Sequence, residues 1–152
     1  MVIRRTGGLA EEGLTHSIIG GFYEVYTELG FGYLESVYSE ALERELRNRG
    51  HDVAREYGIR ISYKGEDIAW HRLDMVVEGR VVIEVKSSAV LPPVTERQLF
   101  NYLRGSGIQV GLILHFGWKP FVKRVYAHDS ERRGASQQLI SSNEPDEPDQ
   151  PN

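Results

Sequence analysis

The residues of this chain that are best suited to chemistry lie on two neighbouring segments of β-type sequence. Asp74 belongs to the first segment, and Glu84-Val85-Lys86 belongs to the second. Glu84 and Lys86 alternate with apolar residues along the chain. In an extended strand both charged side chains therefore point to one face, and the apolar side chains point to the other face, into a core. Charged groups beside an apolar layer are costly to bury unless they pair or hold a metal ion. The pattern therefore predicts either a buried ion pair or a metal site.

The elements that must position these residues are predicted from the spacing of apolar residues. Helical spacing and period-two spacing alternate along the chain in the order ααβββαββ. Thr15 and Thr95 are the predicted N-caps of the first and third helices. The almost continuously apolar strand that contains Glu84 is predicted to be central. The predicted helices cover 15–29, 34–48 and 95–104, and the predicted strands cover 53–63, 67–77, 80–86, 109–116 and 121–126.

Composition limits the class of protein. A chain of 152 residues suits one domain with a sizeable core. No apolar run approaches the roughly 20 residues of a membrane-spanning helix, so no membrane partner is expected. The chain has no cysteine, which excludes disulfides, thiolate zinc sites and thiol catalysis. A reducing cytoplasm is compatible with this composition and is the expected location.

The negative charge of the chain is concentrated at its C-terminal end. The net charge is −4, and the segment from Asp129 onward has six acidic and two basic residues, so residues 1–128 are electrically neutral. The same segment is rich in Ser, Gln and Pro and is predicted to be a disordered acidic tail over 129–152. We expect a weakly ordered N-terminus at 1–13 and a folded domain at 14–128. The charge of that domain does not exclude a nucleic acid partner.

Two helices carry further polar residues beside their apolar rows. Gln98 and Tyr102 are one turn apart on the third predicted helix and share a face. Their row borders the one formed by Leu99 and Leu103, so the Gln98 carboxamide is placed to reach into a cleft. Glu35 holds a similar border position on the second predicted helix.

These motifs together resemble a known group of enzymes. Asp, then Glu-x-Lys on the next strand, then Gln-x-x-x-Tyr on the next helix resembles the PD-(D/E)XK nuclease superfamily, particularly its RecB-like branch. The heptapeptide Gly-Tyr-Leu-Glu-Ser-Val-Tyr at 32–38 resembles the signature of the GxxExxY proteins, a group within that superfamily. The resemblance runs from about Ile18 to Val125. Leu73 departs from it where the superfamily name has Pro, and His115 departs where Asn is expected.

The resemblance implies a fold and an activity. The fold would be α/β and restriction-endonuclease-like, with a mixed central sheet and helices on both sides. The activity would be Mg²⁺- or Mn²⁺-dependent hydrolysis of phosphodiester bonds in nucleic acid, DNA in preference to RNA. A divalent cation generates a nucleophile from bound water and neutralises developing phosphate charge, and Mg²⁺ needs only one or two protein carboxylates.

Each residue of the implied site then has an expected role. Asp74 and Glu84 would bind the metal ion, with the Val85 carbonyl and Glu35 as further ligands. Lys86 would orient the attacking water or stabilise phosphoryl oxygens. The remaining members of the expected catalytic set, which would hold substrate phosphate or a ligand carboxylate, are Gln98 and Tyr102.

Other interpretations remain open at this level. Lys86 could form a structural salt bridge with Asp74 or Glu84. Glu35 would also suit a solvated helix position, and Gln98 would also suit a cap on a neighbouring backbone group. The rings of Trp70 and Trp118 can stack on bases, although packing is the simpler role for them. The whole domain would also suit a non-cleaving module that binds nucleic acid or protein, or a hydrolase of a small phosphorylated molecule. A chain this small would bind its substrate more tightly as a homodimer.

Overall fold

The computed structural model describes residues 11–127, and its elements follow one another in the predicted order ααβββαββ. The predicted acidic tail lies outside the described residues. No helix within 11–127 is long and apolar enough to cross a membrane. The elements are α1 (Glu12–Leu29), α2 (Glu35–Asn48), β1 (Val53–Tyr63), β2 (Glu66–Val77), β3 (Val81–Lys86), α3 (Thr95–Ser106), β4 (Val110–Phe116) and β5 (Pro120–Tyr126).

The five strands form one mixed sheet in the order β1-β2-β3-β4-β5. All neighbouring strands are antiparallel except β3 and β4, which are parallel and joined through α3. β4 is buried along its whole length, and β3 is buried at every position but its last, Lys86. Such near-continuous burial is typical of strands covered on both faces. The prediction that β3 is central is confirmed.

Helices cover both faces of the sheet, as predicted. α1 and α2 pack on one face, where alternate residues of β3, Val81, Ile83 and Val85, enter the core. α3 packs on the other face through Leu99 and Leu103. Since the strand side chains alternate, Glu84 and Lys86 are left on the α3 side of the central strand. The apolar alternation of β3 therefore decides which face of the sheet carries the charged residues.

The two predicted N-caps are wrong. α1 begins at Glu12, so Thr15 lies inside the first turns, where its hydroxyl donates to the Glu12 carbonyl oxygen at 3.1 Å. A threonine that bonds the preceding turn in this way is not free to cap an amide. At the third helix the N-cap residue is Val94, and Thr95 is the first helical residue and buried. Each threonine correctly indicated that a helix begins nearby, but it did not identify the N-cap residue.

The pair Gly20-Gly21 inside α1 suggests that another backbone approaches closely, and the neighbour is instead a set of α2 side chains. A Cβ on Gly21 would lie 3.0 Å from Leu46 Cδ2, and one on Gly20 would lie 3.0 Å from the Arg49 guanidinium. Both contacts are tighter than ordinary van der Waals distances. The glycines thus allow α1 and α2 to pack close together above the sheet.

Regular pairing of β2 fails on both sides at Asp74. The β1–β2 register passes from Arg55–Met75 to Tyr57–Leu73 and omits Glu56 and Asp74. Glu56 has φ 50°, a left-handed conformation that is uncommon for residues other than glycine. On the other side, β2 pairs with β3 only from Met75 to Val77. β1 and β2 therefore continue beyond this point as a two-stranded ribbon that is no longer paired with β3.

Candidate active site

Asp74 lies where β2 separates from β3, and its side chain replaces a lost backbone partner. Its Oδ2 accepts a hydrogen bond from the Val85 amide at 2.8 Å. Without this bond the Val85 amide would be left without a partner on that side of β3, which is expensive for a buried group. Burial raises the pKa of Asp74, while the hydrogen bond from Val85 and the nearby charge of Lys86 act in the opposite direction.

Glu84 is buried on the α3 face of β3, only 7% exposed. Its Oε1 is fully buried and has no hydrogen-bond partner among residues 11–127. Burial, followed by the negative charge of Asp74, raises the pKa of Glu84 to about 8, against the attraction of Lys86. An unpartnered carboxylate oxygen in such a place is unfavourable for the free protein, and a bound cation would relieve it.

Lys86 ends β3 beyond the last β2–β3 pair, on the same face as Glu84. No salt bridge joins Lys86 to Asp74 or Glu84 within residues 11–127, so the structural ion pair left open by the sequence is not formed. In the parallel register Lys86 lies beside His115 of β4. The ammonium group is thus close enough to influence both carboxylates and remains available to another anion.

His115 is a buried residue that holds the segment after Lys86. Its Nε2 lies 2.8 Å from the Ser88 carbonyl oxygen and 3.3 Å from the Ser88 hydroxyl. Its ring also packs against Gly117, where a Cβ would approach Cε1 to 2.7 Å. The residue at the position where the resemblance expects Asn therefore fixes two loops beside the carboxylates.

α3 supplies the wall of the site opposite the sheet. Tyr102 stacks on His71 of β2, with ring centroids 3.9 Å apart and planes inclined by 12°. Burial and then the charge of Glu84 raise the pKa of Tyr102. Burial lowers the pKa of His71, and its buried Nε2 has no hydrogen-bond partner in the described part of the chain. Tyr102 therefore lies near Glu84 and in contact with His71.

The remaining predicted residues lie at the edge of the site. Glu35 is the exposed first residue of α2, and its charge contributes to the raised pKa of Glu84. Gln98 is exposed on α3, one turn before Tyr102, and its side chain makes no hydrogen bond to residues 11–127. The alternative role of Gln98 as a cap on a neighbouring backbone group is therefore not seen within that range.

The donor set fits a hard divalent cation bound largely by water. No three acidic or histidine side chains lie together as a preformed metal cage in the described part of the chain. Mg²⁺ is usually bound by one or two carboxylates and keeps several waters. Asp74 and Glu84 are two such carboxylates, and the unpartnered Oε1 of Glu84 is a free donor. The residues present thus suit Mg²⁺ or Mn²⁺ and not a closed site of protein ligands alone.

The pKa of Glu84 has a measurable effect on stability. In the absence of divalent metal, we expect the free energy of unfolding to fall as the pH rises. Glu84 titrates at an ordinary value of 4.5 when unfolded and at about 8 when folded, so between these values the folded protein keeps a proton that the unfolded chain has lost. The contribution is complete below pH 4.5 and is lost on passing through pH 8. Asp74, whose pKa is also raised, acts in the same direction.

The measurement is a series of urea unfolding curves in EDTA over this pH interval. Glu84→Gln should flatten the decline, by an amount on the order of a few kcal/mol across the interval. Glu24→Gln, which removes an exposed carboxyl from α1, is the matched control and should leave the decline as it is. Equal slopes for wild type and Glu84→Gln would contradict the assignment.

His71 is the site residue that the sequence reveals least. Regular alternation places His71 and Asp74, three positions apart, on opposite faces of β2. The break in pairing at Asp74 changes the parity, because Leu73 and Val76 belong to the same core cluster on the α3 side. The available signal was the mere proximity of His71 to Asp74 in sequence.

Comparison with known proteins places this geometry in context. The structure is similar to that of SSO0001, with a TM-score of 0.51 and 17% sequence identity over 89% of this chain and 70% of that one. An alkaline exonuclease, LHK-Exo from Laribacter hongkongensis, aligns with a TM-score of 0.43 and 13% identity over 88% of this chain and 79% of its own. No curated protein gives a significant match. At these identities the likeness to SSO0001 concerns the fold alone.

The sequence itself gives the stronger result. The profile of the PD-(D/E)XK nuclease superfamily matches residues 12–125, from the first turn of α1 to the end of β5. The matched range includes the site at Asp74 and Glu84, and the predicted restriction-endonuclease-like fold is confirmed. The chain therefore belongs to the PD-(D/E)XK nuclease superfamily.

Proposed function

We propose that this protein is a Mg²⁺- or Mn²⁺-dependent nuclease that hydrolyses phosphodiester bonds of nucleic acid, DNA in preference to RNA. The observation that carries the proposal is the pair of carboxylates where β2 and β3 separate, the half-buried Asp74 and the buried Glu84. One oxygen of Glu84 has no hydrogen-bond partner among residues 11–127. Lys86 lies beside them without a salt bridge to either. A structural ion pair would have consumed these groups, and here they remain available for ligands.

The roles follow from position. Asp74 and Glu84 would hold the metal ion, with the Val85 carbonyl as a further oxygen and Glu35 acting from the start of α2, directly or through water. When bound, the ion would supply an activated water and neutralise charge on the phosphate. The buried setting of Glu84 strengthens its attraction for a cation, since water screens it less there.

Lys86 would bind a non-bridging phosphoryl oxygen or orient the attacking water. Its ammonium is a compact charge with three donors, and β3 fixes the direction from which it acts. Gln98 and Tyr102 would contact the substrate from α3. Tyr102 is the better positioned of the two, because its stacking on His71 fixes the orientation of its ring.

The finer classification rests on sequence motifs. The heptapeptide at 32–38 supports placement with the GxxExxY proteins, and the Gln98 to Tyr102 spacing supports the RecB-like branch. The preference for DNA, the homodimer and the cytoplasmic location are further parts of the proposal and carry their own tests: substrate panels, sedimentation and localisation of a tagged chain.

The experiment is a cleavage assay on single- and double-stranded DNA and RNA with EDTA, Mg²⁺ or Mn²⁺. We expect metal-dependent cleavage by wild type, and a loss of roughly 10²- to 10³-fold for Lys86→Ala, the range seen when one positioned charge donor is removed. Lys64→Ala, on the exposed turn of the ribbon, is the matched control and should cleave normally.

The proposal predicts a second readout besides cleavage. Mg²⁺ should raise the melting temperature of wild type and of Lys86→Ala, because both carboxylates remain. Binding of nucleic acid without turnover on any substrate would instead favour the non-cleaving module. If Lys86→Ala cleaves as well as wild type, the assigned mechanism is wrong.

A further inference from the structure

An apolar surface lies on the loops that adjoin the end of β3, and the nuclease site as described above does not use it. It consists of the exposed Tyr33, Leu34 and Trp118 together with the partly buried Phe31, and we call it the apolar rim. Leu34 is 77% exposed and Trp118 is 75% exposed. Large apolar side chains clustered on a surface in this way mark binding sites more often than chance exposure does.

The rim is attached directly to the site. The hydroxyl of Ser87, the residue after Lys86, donates to the Tyr33 carbonyl oxygen. Leu34 immediately precedes Glu35. At the other end of the rim, Trp118 follows Gly117, which packs against the ring of His115 beside Lys86. Both halves of the rim therefore reach the end of β3 through covalent or hydrogen-bonded neighbours.

The loop that carries Trp118 is held in one conformation by α1. The Tyr26 hydroxyl donates to the Gly117 carbonyl oxygen at 2.7 Å and lies 2.9 Å from that of Trp118. The ring of Phe31 packs against Trp118 with centroids 4.5 Å apart. Since these contacts already order the indole, a ligand that stacks on it would lose little further entropy in fixing it.

The loop that carries Tyr33 and Leu34 is ordered from α2. The hydroxyl of the buried Tyr38 donates to the Gly30 carbonyl oxygen and accepts a hydrogen bond from the Tyr33 amide at 3.2 Å. Gly30 and Gly32 have φ 66° and 115°, conformations that glycine adopts without strain. The apolar side chains of this loop are thus presented outward by a fixed backbone.

We propose that the apolar rim stacks on unpaired bases of a single-stranded nucleic acid, DNA or RNA, whose backbone passes Asp74 and Glu84. The inference deepens the proposed function and rests on it. Aromatic rings bind the faces of unpaired bases without regard to sequence. The lysines at either side, Lys86 and the exposed Lys119, are placed for the phosphates that alternate with those bases.

A duplex is a poorer occupant of the same surface. Its base faces are already stacked on one another, and exposing one requires a few kcal/mol of unstacking and unpairing. A strand that is already single has base faces free for Tyr33 and Trp118. The rim therefore selects for unpaired substrate without a hydrogen bond to any base.

The two tryptophans of the chain allow a direct test. Trp70→Phe leaves Trp118 as the only indole, and Trp118→Phe leaves Trp70, which is 67% exposed on the ribbon with the Arg60 guanidinium over its ring. In EDTA, single-stranded oligothymidine should quench the emission of Trp70→Phe and not that of Trp118→Phe, and the matched duplex should quench neither. Oligouridine in a parallel titration distinguishes DNA from RNA as the preferred strand.

Affinity gives the second measurement. By fluorescence anisotropy with a labelled strand, Trp118→Ala should bind roughly 5- to 150-fold more weakly than wild type, the range for one lost base stack, and Trp118→Phe should lose less. The proposed role of the rim would be overturned if Trp118→Ala bound the strand as tightly as wild type, or if the strand quenched both indoles equally. It would also be overturned if the duplex quenched as strongly as the single strand, or if no strand bound at all. Strand binding without metal-dependent cleavage would instead reject the nuclease and leave the rim standing.

Discussion

Asp74→Asn should lower the rate of metal-dependent cleavage by at least about a thousandfold while the protein stays folded. Asparagine keeps an oxygen that can accept the Val85 amide, the bond that Asp74 makes at 2.8 Å, but it carries no charge for a cation. Losing several kcal/mol of charge stabilisation corresponds to this change in rate. The measurement is single-turnover cleavage at saturating Mg²⁺.

The stability of metal-free Asp74→Asn should not fall along with its activity. Burial raises the pKa of Asp74, so its negative charge is unfavourable in the metal-free protein at neutral pH. We expect metal-free Asp74→Asn to melt no lower than wild type, and only wild type to gain from added Mg²⁺. Asp74→Ala should be less stable by about 1–3 kcal/mol, because the Val85 amide then has no partner.

A matched carboxylate is available on the ribbon. Asp67 is exposed and bonds Arg60 and Ser62, and Asp67→Asn should cleave at the wild-type rate. Cleavage by Asp74→Asn within tenfold of wild type, with the Mg²⁺ effect on melting retained, would show that the metal is bound elsewhere.

Phe116→Ala should lower the free energy of unfolding by about 3–5 kcal/mol, more than the loss expected for Asp74→Ala. Phe116 is fully buried and stacks on Tyr38 with centroids 4.0 Å apart. It also meets Phe22 edge-on at 4.7 Å. A single cavity would therefore weaken the attachment of both α1 and α2 to β4. Urea unfolding at fixed pH measures the change.

Phe121→Ala is the control for that experiment. Phe121 lies opposite His115 in the β4–β5 register and is 46% exposed, so its truncation leaves no closed cavity and should cost less than about 1 kcal/mol. Similar losses for the two variants would mean that the aromatic cluster around Phe116 does not dominate the packing of the helical layer.

The order of elements could be predicted because each one has a strong periodic signal of its own. β3 is the clearest case: its apolar alternation predicted both its central place and the common face of Glu84 and Lys86, and the structure confirms both. Local signals of this kind depend only on side-chain period. The N-cap residues of the helices were harder to predict. Thr15 and Thr95 are of a residue type that often caps helices, but the Thr15 hydroxyl bonds the Glu12 carbonyl oxygen and Thr95 is buried as the first helical residue.

Leu34 and Val37 show why packing could not be predicted to the same depth. Both are apolar residues within the predicted second helix, 34–48, yet both are exposed, while Tyr38 is fully buried. The helix begins only at Glu35, so Leu34 is not part of its apolar row. Whether an apolar residue at a helix end is buried depends on the path of the neighbouring loops. The spacing of apolar residues in the sequence does not predict that path.

The details of the site required tertiary structure for the same reason. The interruption of pairing at Glu56 and Asp74 has no simple sequence signature, because Glu56 is an ordinary residue in an unusual conformation. The bond from Asp74 to Val85 and the stacking of His71 on Tyr102 depend on that interruption. Sequence placed Glu84 and Lys86 on one face of β3, and the irregular pairing of β2 determined how Asp74 and His71 are positioned beside them.

The short span of chain that contains Asp74, Glu84 and Lys86 has a consequence for the order of folding. All three lie on the β2–β3 hairpin, whose contacts are local and can form early. The groups that bury them, on α3 and β4, come later in the chain. During synthesis the two carboxylates would first meet in water, where their repulsion is weak. Most of the electrostatic strain of the site would therefore arise only when α3 and β4 pack against the hairpin.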